Sequence, residues 1–342
     1  MRYGVEQLQT FWQAAARPGP LLIVGGGRWG RVWASVAARA RGTSDGIALL
    51  SRHHAPDVAQ WSASAPGLAD LVACSDMACV VQAIGQPHIA IIASRPRNHV
   101  HDADEALDAG AHVLVEKPLS DDVAAGRGLV RHAMARDLRL GIGTEFAYLP
   151  TLHHFAWTVH SASLKDGPAE IGNIQILWSD PAQEVRHGSQ KRAHSEINQL
   201  EDLLPHMVSI LRVLLPGAVL EIDAAHVDAR SGHMTLTDGT GRRYDCICSK
   251  QADQRERRVQ IDMNGTCAAL DFAAALPVIT WGEQVIPVPQ EFLALSSTLR
   301  LELGAFHLLA ETPDPTSPLT EAVGSLLDLQ DQLSIRCAQA AL

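Results

Sequence analysis

Three groups of residues have the types and spacing to do chemistry. The first is Gly25-Gly26-Gly27-Arg28-Trp29-Gly30, a G-x-G-x-x-G that follows the apolar run Leu21–Val24 and opens a helical pattern. There Gly25 makes the tight turn, Gly27 lets the backbone approach a pyrophosphate, and Gly30 lets helix and strand pack closely. The helix start at Arg28 and Trp29 offers free N–H groups and positive potential to phosphate. The next strand ends in Leu50-Ser51-Arg52-His53, without an acid to bond a ribose 2′-hydroxyl, and Asp45 precedes the strand. The Ser51 hydroxyl and the Arg52 guanidinium suit a 2′-phosphate instead, so the reading favours NADP over NAD.

The second group is Glu116-Lys117-Pro118, after the strand-like HVLVE. Lys117 stands at the carboxyl end of a strand in a parallel sheet, where such sheets bind ligands. Its ammonium can hydrogen-bond the oxygen that gains or loses a hydride. Glu116 either orients the lysine or ends the strand. The third group is Asp202 and His206, four apart on an expected helix and therefore on one face. An imidazole suits a proton donor or acceptor near neutrality.

The stretch SRPRNHVHDADEALDAGAHVLVEKPL (Ser94–Leu119) resembles the glucose–fructose oxidoreductase / inositol dehydrogenase family, Gfo/Idh/MocA. The histidine at 99, the Ala-Leu helix, Ala109-Gly110, His-Val and Glu-Lys-Pro carry the likeness. It implies a Rossmann domain, with Ser94, His99, Glu116 and Lys117 at the cofactor and a cis bond before Pro118. It also implies a D-x-x-x-H signature in a second domain, met here by Asp202 and His206. There the histidine moves a proton and the aspartate lies beside it. Glu145 and Tyr148 fall where the family lines its pocket. The chain departs from the pattern at Leu204, where glycine is frequent, and at Ser209, where aspartate is frequent. Pro205 inside the pattern suggests a kink or a late helix start. Glu196, Asn198 and Glu201 offer other polar contacts. The family further implies a sugar-like or cyclitol-like small-molecule substrate and assembly through an open sheet, as a homodimer or homotetramer.

These groups need a frame to position them. Short apolar runs at 21–24, 46–50, 88–94, 112–116 and 138–143 alternate with helical patterns at 28–41, 77–84, 98–109 and 121–136. That is an α/β Rossmann-type doubly wound parallel sheet. After Pro150 the pattern changes. Helices over 152–161 and 199–215 flank a strand at 171–178, and five alternating runs follow between 219 and 272. That is an α+β domain with a mainly antiparallel open sheet. Helices over 298–310 and 319–341 close the chain, with room to pack back on the first domain. The expected division is a helical extension over 1–20, a dinucleotide-binding domain over 21–148 and a substrate domain over 149–342.

The chain has 342 residues and a formal charge of −10, which argues against nucleic acid and anionic membrane as partners. No run approaches the ~18 apolar residues of a membrane span, and the N-terminus lacks a signal peptide's apolar core. Six cysteines without a C-x-x-C read as reduced thiols of a cytoplasmic protein. No metal-binding motif appears, so no metal is expected. Trp29 and Trp33, at i and i+4, read as core or cofactor-edge packing. Gln254–Arg258, mixed in sign, reads as a solvated strand or turn. The leading reading is an NADP-dependent oxidoreductase moving hydride to or from a carbonyl or alcohol carbon. Lys117 polarises the oxygen, His206 moves the proton and Asp202 orients it. An NADPH-dependent imine reductase and a non-catalytic NADP sensor or scaffold stay open.

Overall fold

Four-residue apolar runs bury completely in the computed structural model, which describes residues 2–165, 171–181, 185–186, 189–190, 198–263, 265–273, 276–312 and 318–340. Glu196 and Lys191 lie outside the described residues. The chain begins α1 (Val5–Ala14), β1 (Leu21–Val24), α2 (Arg28–Arg41), β2 (Ile47–Leu50), α3 (Ala55–Ser64), β3 (Val72–Cys74), α4 (Met77–Ile84), β4 (Ile89–Ile92). It continues α5 (His99–Asp108), β5 (His112–Val115), α6 (Val123–Ala135), β6 (Leu140–Ile142), α7 (Pro150–Lys165), β7 (Ile171–Pro181), β8 (Val185–Arg186), β9 (Ser189–Gln190), α8 (Gln199–Leu214). The remainder is β10 (Leu220–Val227), β11 (Ser231–Asp238), β12 (Arg243–Ala252), β13 (Glu256–Met263), β14 (Thr266–Asp271), β15 (Val278–Trp281), β16 (Gln284–Ile286), α9 (Gln290–Leu293), α10 (Thr298–Glu311) and α11 (Pro318–Ala340).

Two compact units result. The first comprises Val5–Tyr148 and Ser297–Leu327. Its six strands run parallel in the order β3-β2-β1-β4-β5-β6, the doubly wound order. Strands β1, β2 and β4 are buried at every position, which is why they read as continuous apolar runs. Gly42 ends α2 in the left-handed conformation, at φ 75°. Asp122 caps α6 by accepting from the Ala124 and Ala125 N–H groups. The element pair α3–β3 has no counterpart in the sequence reading, because β3 is only the three residues Val72–Cys74.

Helix α1 belongs to this unit and buries Leu8, Phe11 and Ala14. The sequence reading set residues 1–20 apart as an extension; the apolar face of α1 instead packs on α10. The two backbones touch at Gly304, where a Cβ would collide with the Phe11 carbonyl. Gly304→Ala is therefore expected to cost about 2–3 kcal/mol of stability in denaturant unfolding. An unchanged midpoint would mean that α1 gives way freely.

The second unit comprises Met1–Gly4, Leu149–Ser296 and Asp328–Leu342. Its eight strands take the order β10-β11-β12-β7-β13-β14-β15-β16. Only β12–β7 is a parallel pair among these strands. Strand β7 alternates, burying Ile174, Ile176 and Trp178 on one face. Helix α8 lies against β11 and β12. Its start is fixed at Gln199 by a capping box: the Asn198 side chain accepts from the Glu201 N–H at 2.9 Å, and Glu201 accepts from the Asn198 N–H at 3.3 Å. The helix thus starts early and runs through Pro205, contrary to a late start. Asn198 Oδ1 and one Glu201 carboxylate oxygen are engaged in this cap, which gives both residues a structural role.

Gln254–Arg258 is corrected too. Arg257, on β13, is 3 % exposed and its guanidinium lies 4.0 Å from the Trp178 ring centroid while pairing with Asp180. Period-two alternation carries it to the covered face of the sheet, where an ion pair and an indole replace water. Among the described residues no helix is long and apolar enough to cross a membrane. The six cysteines are unbridged.

Candidate functional site

The glycine loop separates what the protein needs from what a ligand needs. Gly25 has φ 120°, and a Cβ there would lie 2.6 Å from the Ala93 carbonyl oxygen. A Cβ at Gly30 would collide with the Gly25 carbonyl. Both glycines are required by the chain's own packing. Gly27 is different. Its φ of −75° suits any residue, and no atom lies within 4 Å of its Cβ position. Glycine suits this N-cap position, and among the described residues no side chain fills the space, which leaves the backbone open to a group drawn up to it. At the end of β4 the Ser94 hydroxyl is buried without a hydrogen-bond partner. The loop therefore fits a dinucleotide phosphate, which the N–H groups starting α2 would hold. Trp29 is 40 % exposed on the first turn of α2, with the Arg28 guanidinium over its ring at 5.5 Å.

Lys117 follows β5, and the bond before Pro118 is cis, as the resemblance implies. Its neighbours are held firmly. Glu116 is half-buried and accepts the Trp33 indole N–H at 2.7 Å, so Trp33 is a core residue with one polar task. His99 is also buried. Its Nδ1 lies 2.7 Å from the Pro118 carbonyl and its Nε2 lies 3.2 Å from the Ser94 carbonyl. Burial holds this imidazole below its usual range, so near neutrality it has one N–H to give, and the shorter bond to Pro118 is the one donated. His99 thus ties the loop after β4 to the loop that carries Lys117. It positions that loop, and the family's histidine acquires a structural account.

One acid in this unit escaped the sequence reading. Glu302, on α10, is buried and its Oε1 accepts the Thr144 N–H at 2.6 Å, while its Oε2 has no hydrogen-bond partner among the described residues. Burial, then the neighbouring Glu116 and Glu145 carboxylates, push its carboxyl well above the usual range. Burial likewise raises Glu116, against the pull of Trp33 and Lys117. The Glu302 and Glu116 carboxyls therefore act on one another, and both are pushed toward the protonated form. Glu145 lies in a 3-10 turn nearby, partly exposed. Tyr148 is fully buried with its ring edge-on to Phe11 at 6.2 Å. It holds a core position under α1, not the pocket wall expected of it.

Ser51 and Arg52 follow β2. A Cβ on Gly26 would lie 2.5 Å from the Ser51 Oγ, which places that hydroxyl against the glycine loop. Arg52 is paired within the protein: Nη1 meets Asp102 Oδ1 at 2.6 Å and Nη2 meets Glu105. His101, Asp102 and Glu105 form a group close enough to hold a metal ion, but the Arg52 guanidinium already serves these two carboxylates as their cation.

In the second unit, His206 is 7 % exposed and its ring stacks on Trp178, with centroids 5.4 Å apart and planes 15° apart. That face contact fixes the plane of the imidazole. Asp202 lies one turn earlier, with Oδ2 3.7 Å from Lys250 Nζ. Trp178 and Lys250 were not singled out in the sequence. Trp178 looked like one more core residue of an alternating strand, though the scarcity of lysine gave Lys250 some prominence.

Residues 21–144 match an oxidoreductase family with an NAD-binding Rossmann fold, Gfo/Idh/MocA. No curated protein matches the sequence. Among solved structures the chain is similar to KijD10, a 3-ketoreductase from Actinomadura kijaniata in complex with NADP and TDP-benzene. The TM-score is 0.72 at 18 % identity, over 94 % of this chain and 98 % of that one. It is also similar to the UDP-N-acetylglucosamine 3-dehydrogenase GnnA from Acidithiobacillus ferrooxidans. There the TM-score is 0.70 at 17 % identity, over 95 % of this chain and 100 % of that one. At such identities the likeness is one of fold. The glycine loop, the strand order and the Glu-Lys-Pro turn agree with that match: residues 21–144 form a Rossmann fold similar to that of the Gfo/Idh/MocA oxidoreductase family.

Proposed function

We propose that the protein is an NADP-dependent oxidoreductase acting on a carbonyl or alcohol carbon of a sugar-like or cyclitol-like substrate. The observation that carries this reading is Lys117. It stands at the carboxyl end of a parallel strand, on a turn held by His99, in the unit whose Gly27 is left open. A bound nicotinamide supplies or takes the hydride. Lys117 holds the substrate oxygen and stabilises the negative charge that develops on it. The reading assigns the proton transfer to His206, whose ring plane is set by Trp178. Asp202 presents a carboxylate one turn from His206, and Lys250 offsets its charge.

Ser51 and Arg52 support NADP over NAD, since neither is an acid for a 2′-hydroxyl and both suit a phosphate. The neighbours support the substrate class: by name one acts on UDP-N-acetylglucosamine, and the other is a 3-ketoreductase crystallised with NADP.

Titration with NADPH and NADH separately, followed by tryptophan quenching, tests the cofactor half. Tight NADPH and weak NADH binding is expected, with exposed Trp29 contributing to the signal. Equal or inverted preference removes the Ser51–Arg52 assignment. Binding of neither by folded protein removes the oxidoreductase reading. NADPH oxidation against sugar-like carbonyls then tests the substrate half.

A further inference from the structure

The Arg52 ion pairs have a direction that the cofactor reading leaves unused. Arg52 follows β2, whereas Asp102 and Glu105 stand on α5, which follows β4. Strands β2 and β4 flank β1 on either side, and β1 ends at the glycine loop. The guanidinium bridge therefore joins the two strands that border the cofactor turn.

Its two acids differ. The Asp102 side chain is 1 % exposed and meets Nη1, so its bond to Arg52 is shielded from water. Glu105 is 35 % exposed and meets Nη2 from the solvent side. Breaking the first pair would strand a buried carboxylate, which is costly; breaking the second returns a carboxylate to water, which is cheap. One guanidinium thus faces two carboxylates, and the three groups sum to one negative charge. A 2′-phosphate brought to Arg52 meets that surplus negative charge and competes for a nitrogen already in use. A 2′-hydroxyl carries no charge and does not compete.

We infer that Glu105 is a cofactor-specificity residue: it occupies the outer nitrogen of the Arg52 fork and must yield it to a 2′-phosphate, while Asp102 anchors the inner one. The inference rests on the NADP reading above. It makes Glu105 a brake on NADP binding and leaves NAD binding untouched.

The test is a binding titration of the full chain at fixed ionic strength, with NADPH and NADH as probes, on four proteins: wild type, Glu105→Gln, Arg52→Ala and the double variant. Glu105→Gln is partly exposed and replaces a carboxylate by an amide of the same shape, so folding is retained. It is expected to tighten NADPH about two- to fivefold, the range that a partly exposed ion pair carries, and to leave NADH unchanged. In the Arg52→Ala background the same substitution should have no effect. Three results overturn the inference: no change with NADPH, equal tightening of both nucleotides, or an effect that persists without Arg52. The last two would mean that Glu105 acts as a distant charge on any polyanion. Failure of the NADP reading looks different. In that case wild type does not prefer NADPH, and Arg52→Ala weakens neither nucleotide.

Discussion

Lys117→Ala is expected to lower turnover at least about 10²-fold while NADPH still binds within about threefold of wild type. The loss is that of a charged donor aimed at the oxygen whose charge grows in the transition state, an effect of about 3–4 kcal/mol in comparable sites. Binding survives because the parts that fit the nucleotide are elsewhere: the open backbone at Gly27, the start of α2 and the end of β2. The comparison of kcat with the NADPH dissociation constant separates these roles. Near-normal turnover would take Lys117 out of the chemistry. A parallel loss of NADPH binding would make it a cofactor contact.

The second large effect concerns the buried acid Glu302. Glu302→Gln is expected to be increasingly more stable than wild type as pH rises. Glu302 has its carboxyl raised by burial, by Glu116 just after β5 and by Glu145 in the turn after β6, while the Thr144 N–H donates to it. A raised acid keeps its proton in the folded chain at pH values where the unfolded chain has lost it. Its stabilising contribution is whole below the ordinary glutamate value and is lost as pH rises through the folded one. Glutamine copies the protonated form, still accepts from Thr144 and has no such proton to lose. The gap between variant and wild type should therefore widen as pH rises above the ordinary glutamate value, by up to about 1.4 kcal/mol per pH unit until the folded carboxyl ionises. Melting temperatures across that range check it. A gap that stays flat, or a variant destabilised equally at every pH, would mean that Glu302 is ionised when folded.

The features legible in the sequence are the local ones. The glycine loop, Ser51-Arg52 and the Glu-Lys-Pro turn each lie within a few residues, and strand burial on both faces makes β1, β2, β4 and β5 read as apolar runs. Asp202 and His206 are legible as a pair because helical spacing puts them on one face. What spacing does not show is partnership across the chain. Trp33 meets Glu116 over 83 residues, Arg52 meets Asp102 over 50, and Thr144 meets Glu302 over 158. Glu302 did leave a trace, as an acid inside the apolar run of α10. Asn198 read as a ligand because capping and binding use the same side-chain atoms. Short strands fell below notice for a simple reason: β3 and β16 have three residues each, too few to show a period.

The place of α10 in the first unit bears on how the chain is made. Residues up to Tyr148 leave the ribosome well before Ser297–Leu327, yet the unit is complete only with both. At common elongation speeds the interval is roughly ten to forty seconds. During it the face of α1 that meets α10 waits uncovered, with Phe11 ready but Gly304 not yet synthesised. The nascent nucleotide-binding half therefore gains one of its packing partners, α10, only when the last part of the polypeptide emerges.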